Sequence, residues 1–412
     1  MPEVNKYCPK SKTVYWLLNG HANALQDSIL SIRGWALQEQ LLARRIIHFT
    51  DSEMIWECSA GLQSESGRTG HLQLMDLTRI VINRNAARLP EVRRDTGDRY
   101  IDQNINNFLK AKGVASVYWV WRQIVTDYSR RDLTRAEDKL VALSGIAKVF
   151  ASRLSINPED SYFAGLWEDT LIQDLLWRVA NPSSVDTCGA AGRSRIAPSW
   201  SWASISGAVF YFFSEYQFKF ESLAEVLDVS CLQTSTDPTG AVAGGSLEIT
   251  GQFQCAVLEV KPRPTPCSWK PATQAFIYEP GKDEVRVFLD ESLESGVYAQ
   301  GYHCLVLGAN ADRFSGARKA WFLVVKQKGT RATDGLRIVE RAGIGFLSLS
   351  DSWLLDSDFV RPLVPAPYTW AHTAGQNPTI CSPRRKISFL HPTIQQRRAL
   401  SPVFHCCAPN RF

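Results

Sequence analysis

The sequence RGWALQEQLLARRIIHFTDSEMIWEC, residues 33–58, contains the pattern that decides the fold of the first part of the chain. Its first ten residues predict a short helix, because apolar side chains recur at helical spacing and form one face. The apolar positions of this helix are Trp35, Leu37, Leu41 and Leu42. Two runs rich in β-branched and aromatic residues follow, at 46–49 and 54–58, with a polar turn between them. We therefore expect a helix followed by a β-hairpin.

The alternation of side chains along the first strand gives the hairpin two different sides. It places Ile47 and Phe49 on one side, and Ile46 and His48 on the other. Before the helix, the run VYWLL at 14–18 predicts one further strand.

A helical middle region is predicted at 114–204. Apolar residues at helical spacing form one face of its first helix, namely Val117, Tyr118, Trp121, Ile124, Val125 and Tyr128. The sequence TRAE at 134–137 has the form of a capping box and predicts the start of a second helix. A third helical stretch is predicted at 161–179, and the region ends at 198–204, where alternating large and small residues predict a strand.

The remaining segments differ in composition from the helical region. Residues 61–113 are polar and rich in Arg and Asn, which predicts a loop-rich connection with one short helix at 72–82. Residues 205–357 contain several short runs in which apolar and polar residues alternate, and Gly and Pro separate these runs. They predict a β-rich domain, either a sandwich or a sheet closed on itself. Residues 358–412 form a basic, Pro-rich tail, for which we predict disorder.

The net charge of +5 is concentrated in the tail. No Asp or Glu follows Asp358, whereas seven Lys and Arg residues do, and subtracting these seven from +5 leaves −2 for the preceding residues. The folded part therefore has no overall positive field that would attract nucleic acid, and no specific nucleic-acid partner is expected.

The cysteines and histidines predict no metal site. The ten cysteines are scattered without a Cys-x-x-Cys pair, and the seven histidines lack the spacings typical of metal ligands. No secretory signal and no apolar run long enough to span a membrane is visible, so the sequence predicts a cytoplasmic protein.

Residues 33–58 resemble the closing motif of the fungal heterokaryon incompatibility (HET) domain. In that motif, Arg, a small residue and Trp are followed by Gln-Glu, a Leu pair, Arg, an apolar strand and a Trp-x-Cys strand. Later segments resemble, in the same order, sequences that commonly follow this domain. These are YSRRDLT at 128–134, DKLVALSGIA at 138–147, YFAGLW at 162–167, DLLW at 174–177 and APSWSWAS at 197–204. The earlier HET motifs, ending in Trp-Gly and Trp-Ile-Asp, do not occur. The resemblance thus implies an N-terminally truncated domain, with residues 1–60 as its C-terminal part.

The resemblance implies an α+β protein. Its parts would be a remnant of a flavodoxin-like α/β HET domain, similar to the Toll/interleukin-receptor (TIR) fold, the helical middle region and the β-rich C-terminal domain. It also implies a role in non-self recognition and heterokaryon incompatibility, in which fungal cells undergo programmed cell death. Such a protein would act mainly through protein partners, self-association included, with no cofactor and no enzymatic step. The alternatives are a TIR-like effector that cleaves NAD, with NAD only as substrate, or an inactive fragment.

The motif supplies the candidate site residues for a ligand or an interaction. They are Arg33, Gly34, Trp35, Gln38, Glu39, Arg45, Trp56 and Cys58. Glu39 is the candidate catalytic residue, because a carboxylate can stabilise the cationic sugar that forms as nicotinamide leaves. Alternatively, Arg33 and Glu39 hold the helix against the hairpin through buried polar contacts. Helical spacing places Gln38, rather than Glu39, on the same face as Trp35.

Overall fold

The computed structural model describes residues 29–51, 53–58, 61–67, 69–70, 114–180, 196–211, 220–262, 273–278, 284–294, 296–311, 318–348 and 384–390. These residues form a mixed α+β structure, as the sequence predicts. The strand predicted at 14–18 and the helix predicted at 72–82 lie outside them. Within the described part of the chain, no helix has both the length and the apolar content needed to cross a membrane.

The first unit consists of a helix and a four-stranded antiparallel sheet, and it confirms the predicted helix and hairpin. A 3₁₀ turn at Ile29–Ile32 leads into helix α1, Gly34–Leu42. The sheet has the order β1-β2-β3-β4. Its strands are β1 (Arg45–Phe49), β2 (Met54–Cys58), β3 (Gly61–Ser64) and β4 (Thr69–Gly70). Residues 61–70 thus extend the hairpin where a loop was predicted, because Leu62, only 5% exposed, packs into its buried side.

The middle region begins with the two helices that the periodicity predicts. They are α2, Val114–Tyr128, and α3, Asp138–Leu154. The predicted capping box does not form, since α3 begins after Glu137 without a side-chain cap. The amides of Asp138 and Lys139 instead donate to the carbonyls of Arg135 and Ala136 in the preceding turn. These hydrogen bonds satisfy two of the first amides of α3 without a side-chain cap.

The single helix predicted at 161–179 is wrong. Six short elements occupy this segment and its start. They are α4 (Pro158–Ser161), β5 (Tyr162–Phe163), β6 (Leu166–Trp167), a 3₁₀ helix (Glu168–Thr170), α5 (Leu171–Asp174) and β7 (Trp177–Val179). Ala164 and Gly165 have φ values of 47° and 97°, and this left-handed turn interrupts any helix. Two continuous runs of this segment, 162–167 and 174–177, are buried, so its apolar residues do not mark one helical face.

The strand predicted at 198–204 is also wrong. The segment forms turns and a 3₁₀ helix at Trp202–Ser204, capped by the Ser201 side chain, which accepts from the amide of Ala203. Trp200 and Trp202 are both fully buried. The indole nitrogen of Trp202 donates to the Gly165 carbonyl at 3.1 Å, so this aromatic segment holds the β5–β6 turn in place.

The β-rich region is confirmed and its sheet closes on itself. After β8 (Val209–Tyr211), which pairs with β7, the strands are β9 (Phe220–Ser222), β10 (Glu225–Gln233), β11 (Val242–Pro262), β12 (Thr273–Tyr278), β13 (Val285–Leu289), β14 (Tyr298–Ala311), β15 (Arg318–Thr330), β16 (Arg337–Ser348) and β17 (Arg384–Leu390). The order is β10-β11-β12-β13-β16-β15-β14-β9, and β14 also pairs with β11. One face of the six strands in this ring has its own apolar core. Side chains of the other face join the core of the helical region.

Strand β17 corrects the prediction of disorder for part of the tail. It pairs antiparallel with β11 and parallel with β16. Ile387 and Phe389 on this strand are 0% and 1% exposed, which explains its place in the sheet. The rest of 358–412 lies outside the described residues.

A buried arginine joins the helical region to the sheet. Arg341 of β16 donates to both carboxylate oxygens of Asp290, at 2.9 and 3.2 Å. Its guanidinium also donates to the backbone carbonyls of Leu175 and Trp177, and lies 3.3 Å from the centre of the Trp177 ring. One fully buried cation therefore ties a loop of the sheet to the segment that contains β7.

Candidate functional site

Helix α1 is anchored to the helical region by close backbone contact at Gly34. The Gly34 amide donates to the Asp132 carbonyl at 2.8 Å, and the Asp132 amide donates to the Ile32 carbonyl at 2.6 Å. A Cβ atom at Gly34 would lie only 2.5 Å from Cδ2 of Leu133. Because only glycine leaves this space, Gly34 allows the start of α1 to approach the loop before α3.

Two further motif residues face α3 from the same side of α1. Trp35 donates from its indole nitrogen to Asp138 at 3.3 Å. The Gln38 side-chain oxygen accepts from the amide of Gly145 at 2.9 Å. Trp35 and Gln38 therefore share a face, as helical spacing predicts. Together with the buried side chains of Leu37 and Leu41, they position the helix.

Glu39 lies on a different face, at a cavity of about 400 Å³ between α1 and β1. Its lining residues are Leu30, Ser31, Ala36, Glu39, Gln40, Ala43, Arg45, Ile46, Ile47 and His48. Both Arg33 and Glu39 are exposed, so the alternative in which they form buried contacts between helix and hairpin is wrong. The structure instead brings Glu39 and Arg45 to one cavity.

One of the residues that line this cavity, His48, contacts a buried carboxylate. His48 Nε2 lies 2.5 Å from Glu57 Oε2, and the two side chains are 18% and 2% exposed. In the hairpin, His48 is opposite Ile55 and Ile46 is opposite Glu57, so the contact between His48 and Glu57 is diagonal and lies on one face. Neither residue was among the predicted site residues. The alternation of side chains places His48 and Glu57 each on a definite face of its strand. Only the register of the hairpin shows that the two faces coincide and that the two side chains meet.

The cavity combines groups that could bind a small polar molecule. Arg45 offers a guanidinium to an anionic group, and Glu39 offers a carboxylate to a cationic or hydrogen-bonding group. The His48 imidazole, oriented by Glu57, has the arrangement of a general base or acid. In the part of the chain that the structure describes, no group of three or more His, Cys, Asp or Glu residues could hold a metal ion.

The other side of the hairpin is apolar and open to solvent. Ile47 and Phe49 of β1 are 50% and 78% exposed, and Met54 and Trp56 of β2 are 42% and 40% exposed. Ile47 pairs with Trp56 and Phe49 with Met54, so the four side chains form one continuous surface, which we call the hairpin face. Cys58, the last motif residue, is half-buried opposite Arg45 at the far end of the hairpin.

Strand β1 also lies at one end of the described order of its sheet. The hairpin face therefore includes side chains of this end strand, Ile47 and Phe49. Leu30 and Ile32, which are 58% and 52% exposed in the preceding 3₁₀ turn, add apolar surface in the same unit.

Comparison of the chain with protein-family models, with curated proteins and with solved structures finds no match. The candidate site therefore has to be interpreted from its own geometry and from the motif.

Proposed function

We propose that this chain is a HET-domain-type protein of fungal non-self recognition, which acts in the cytoplasm through protein association and promotes regulated cell death. We assign α1 and the β1–β2 hairpin to the C-terminal part of a flavodoxin-like, TIR-related HET domain. The described strands of this unit are antiparallel.

The observation that supports association is the hairpin face. Contiguous exposed apolar surface on a protein marks a site of protein contact more often than a solvated surface. Here four large side chains stand next to each other, and two of them, Ile47 and Phe49, are at least half exposed. They belong to the same motif as Gly34, Trp35 and Gln38, which fix the helix beside the hairpin. The motif thus both builds the unit and presents the contact surface.

The test uses cell death and association together. The double variant Phe49→Ser/Met54→Ser removes apolar surface from the hairpin face, and neither side chain lines the Glu39 cavity. Leu227→Ser is the matched control, since Leu227 of β10 is 43% exposed on a different part of the molecule. Expressed in a filamentous fungus at equal protein levels, the wild-type chain and the control should arrest growth and cross-link to protein partners. The double variant should do neither. Growth arrest that persists in the double variant would overturn the proposal.

A second candidate function, cleavage of NAD, is favoured by the position of Glu39 in the cavity. Its carboxylate could stabilise the cationic ribose as nicotinamide departs, while Arg45 could bind the diphosphate. Purified protein incubated with NAD would then release nicotinamide, and Glu39→Gln would abolish release while Glu294→Gln, at an exposed carboxylate elsewhere, would not. Absence of nicotinamide release from the wild-type protein rejects this function. Absence of both release and growth arrest indicates an inactive fragment.

A further inference from the structure

A small cavity lies between strand β5, strand β10 and the turn that follows β10. Its volume is about 190 Å³, and it shares no lining residue with the Glu39 cavity. Six of the residues that line it are Glu159 of α4, Tyr162 and Phe163 of β5, Cys231 and Gln233 of β10, and Pro238 of the turn. We call it the β5–β10 cavity. It is smaller than the roughly 300–1,000 Å³ of sites for drug-sized ligands, so it would hold only a small molecule or the end of a chain.

The lining of the β5–β10 cavity extends from the surface to the core. Glu159 and Thr236 are exposed, and Gln233 is half-buried. Tyr162 and Phe163 are only 1% and 8% exposed. The cavity therefore combines side chains that meet a ligand from solution with side chains that would surround it.

The turn after β10 forms a fixed wall of this cavity. The Asp237 carboxylate accepts from the Thr239 amide at 3.0 Å and from the Thr239 hydroxyl at 2.8 Å. The same carboxylate accepts from Lys148 of α3 at 2.7 Å. At the base of the turn, the Thr234 amide donates to the Ala241 carbonyl at 3.0 Å. Because the turn is bonded to itself and to α3, the cavity is formed before any ligand enters.

Two buried polar atoms of lining residues have no hydrogen-bond partner within the described part of the chain. They are the Tyr162 hydroxyl and the Gln233 side-chain oxygen. The side-chain nitrogen of Gln233 donates to the Pro238 carbonyl at 3.1 Å. Because a carbonyl accepts only from the nitrogen of that amide, the remaining Gln233 atom is an acceptor. Burying a polar atom without a partner is costly, so a ligand that supplies donors would gain these hydrogen bonds.

The Tyr162 hydroxyl lies near the wall formed by β10 and the turn. Burial raises the pKa of Tyr162, and Tyr128 adds to this effect. Smaller contributions come from Cys231, which lines the cavity, and from Asp237 in the turn. The hydroxyl therefore stays protonated at neutral pH, and its oxygen can accept a hydrogen bond from a ligand.

The lining favours a cation that has several N–H donors. Glu159 contributes a carboxylate, and no Lys, Arg or His is among the described residues that line the cavity. The carboxylate, the Gln233 oxygen and the Tyr162 hydroxyl are three acceptor groups, one for each N–H of a primary ammonium group. The Phe163 ring beside them favours a cation and an apolar chain. The carboxylate also disfavours an anion.

We propose that the β5–β10 cavity binds a primary ammonium group at the end of a short apolar chain. A free alkylamine or a lysine side chain of another protein supplies this group. The site is separate from the hairpin face and from the Glu39 cavity, so this binding and the proposed function can each fail without the other.

The test titrates butylammonium onto the whole chain and measures its affinity by ligand-observed NMR. 1-Butanol has the same length without the charge, and N,N,N-trimethylbutylammonium keeps the charge without N–H donors. Butylammonium should bind roughly tenfold more tightly than either compound, because only it combines the charge with three donors.

Two conservative variants test the assigned contacts. Tyr162→Phe removes only the hydroxyl, and Glu159→Gln removes only the charge, so each should weaken the binding of butylammonium by roughly fivefold or more. Without ligand, Tyr162→Phe should not lower the melting temperature, because the lost hydroxyl has no partner to leave behind. The matched control is Glu168→Gln, an exposed carboxylate that does not line the cavity, and it should bind like the wild-type protein.

Several results would overturn the proposal. They are no binding of butylammonium at millimolar concentration, equal binding of 1-butanol or of the trimethyl compound, and unchanged affinity in both Tyr162→Phe and Glu159→Gln. Nα-acetyl-lysine amide distinguishes the two sources of the ammonium group. If it binds as tightly as butylammonium, the cavity accepts a lysine side chain of a partner protein, whereas weaker binding restricts the site to free amines.

Discussion

Replacing Arg341 by methionine should lower the free energy of unfolding more than a surface substitution does, because it removes the contact between the helical region and the sheet. The guanidinium and the Asp290 carboxylate are both 0% exposed. In Arg341→Met, Asp290 keeps a buried negative charge without its guanidinium, and the carbonyls of Leu175 and Trp177 lose a donor. Removing one partner of a buried ion pair typically costs about 3–5 kcal/mol. The loss of two carbonyl partners places Arg341→Met near the upper end of this range.

The same reasoning predicts strong coupling between the two charges. Asp290→Leu alone should cost a similar amount, because it leaves the guanidinium buried without a counter-ion. In the double variant neither charge remains. Its loss of stability should therefore be smaller than the sum of the two single losses by at least about 2 kcal/mol. Lys328→Met is the control, since the ion pair of half-exposed Lys328 contributes about 1 kcal/mol or less.

Urea denaturation, followed separately by tryptophan fluorescence and by circular dichroism, measures these free energies. The fluorescence signal reports on the surroundings of the thirteen tryptophans, six of which lie at 114–204, whereas circular dichroism reports on the backbone of the whole chain. A loss below about 1 kcal/mol in Arg341→Met, or strict additivity in the double variant, would refute the argument that the buried pair joins the two regions.

Three further predictions concern the core. Burial lowers the pKa of Lys139 from 10.5 to about 8, so the unfolded chain binds more protons between these values. Stability should therefore rise with pH from about 8 to 10.5, by up to about 3 kcal/mol relative to Lys139→Met, in urea titrations across that range. Gly165→Ala should destabilise the protein by roughly 2–4 kcal/mol in the same assay, since Gly165 has a φ of 97° and an added Cβ would lie 2.5 Å from the Trp202 indole. Phe389→Ala should cost about 3–5 kcal/mol, because this side chain is 1% exposed, and hydrogen exchange should show faster exchange in β17; unchanged exchange would contradict its place in the sheet.

The successes and failures of sequence reasoning have a common physical origin. Helix α1, the hairpin, α2 and most of α3 could be predicted, because their apolar residues recur with the period of a helix or of a strand. The segment 161–179 could not, since its apolar residues are buried on all sides and the left-handed turn at Ala164 and Gly165 depends on contact with Trp202. Strand β17 was missed because its flanking sequence is basic and Pro-rich, although Ile387 and Phe389 alternate as a strand requires.

The residues of the candidate site could be predicted from the sequence only in part, for a similar reason. The motif named Glu39 and Arg45 as candidates, and the structure places both at one cavity, whereas the alternative of buried contacts for Arg33 and Glu39 is wrong because both are exposed. Glu57 could be found only from the register of β1 and β2, because its contact with His48 crosses the hairpin diagonally. A local sequence pattern predicts which face of a single helix or strand is buried. To predict a contact between two elements, their relative position must also be known.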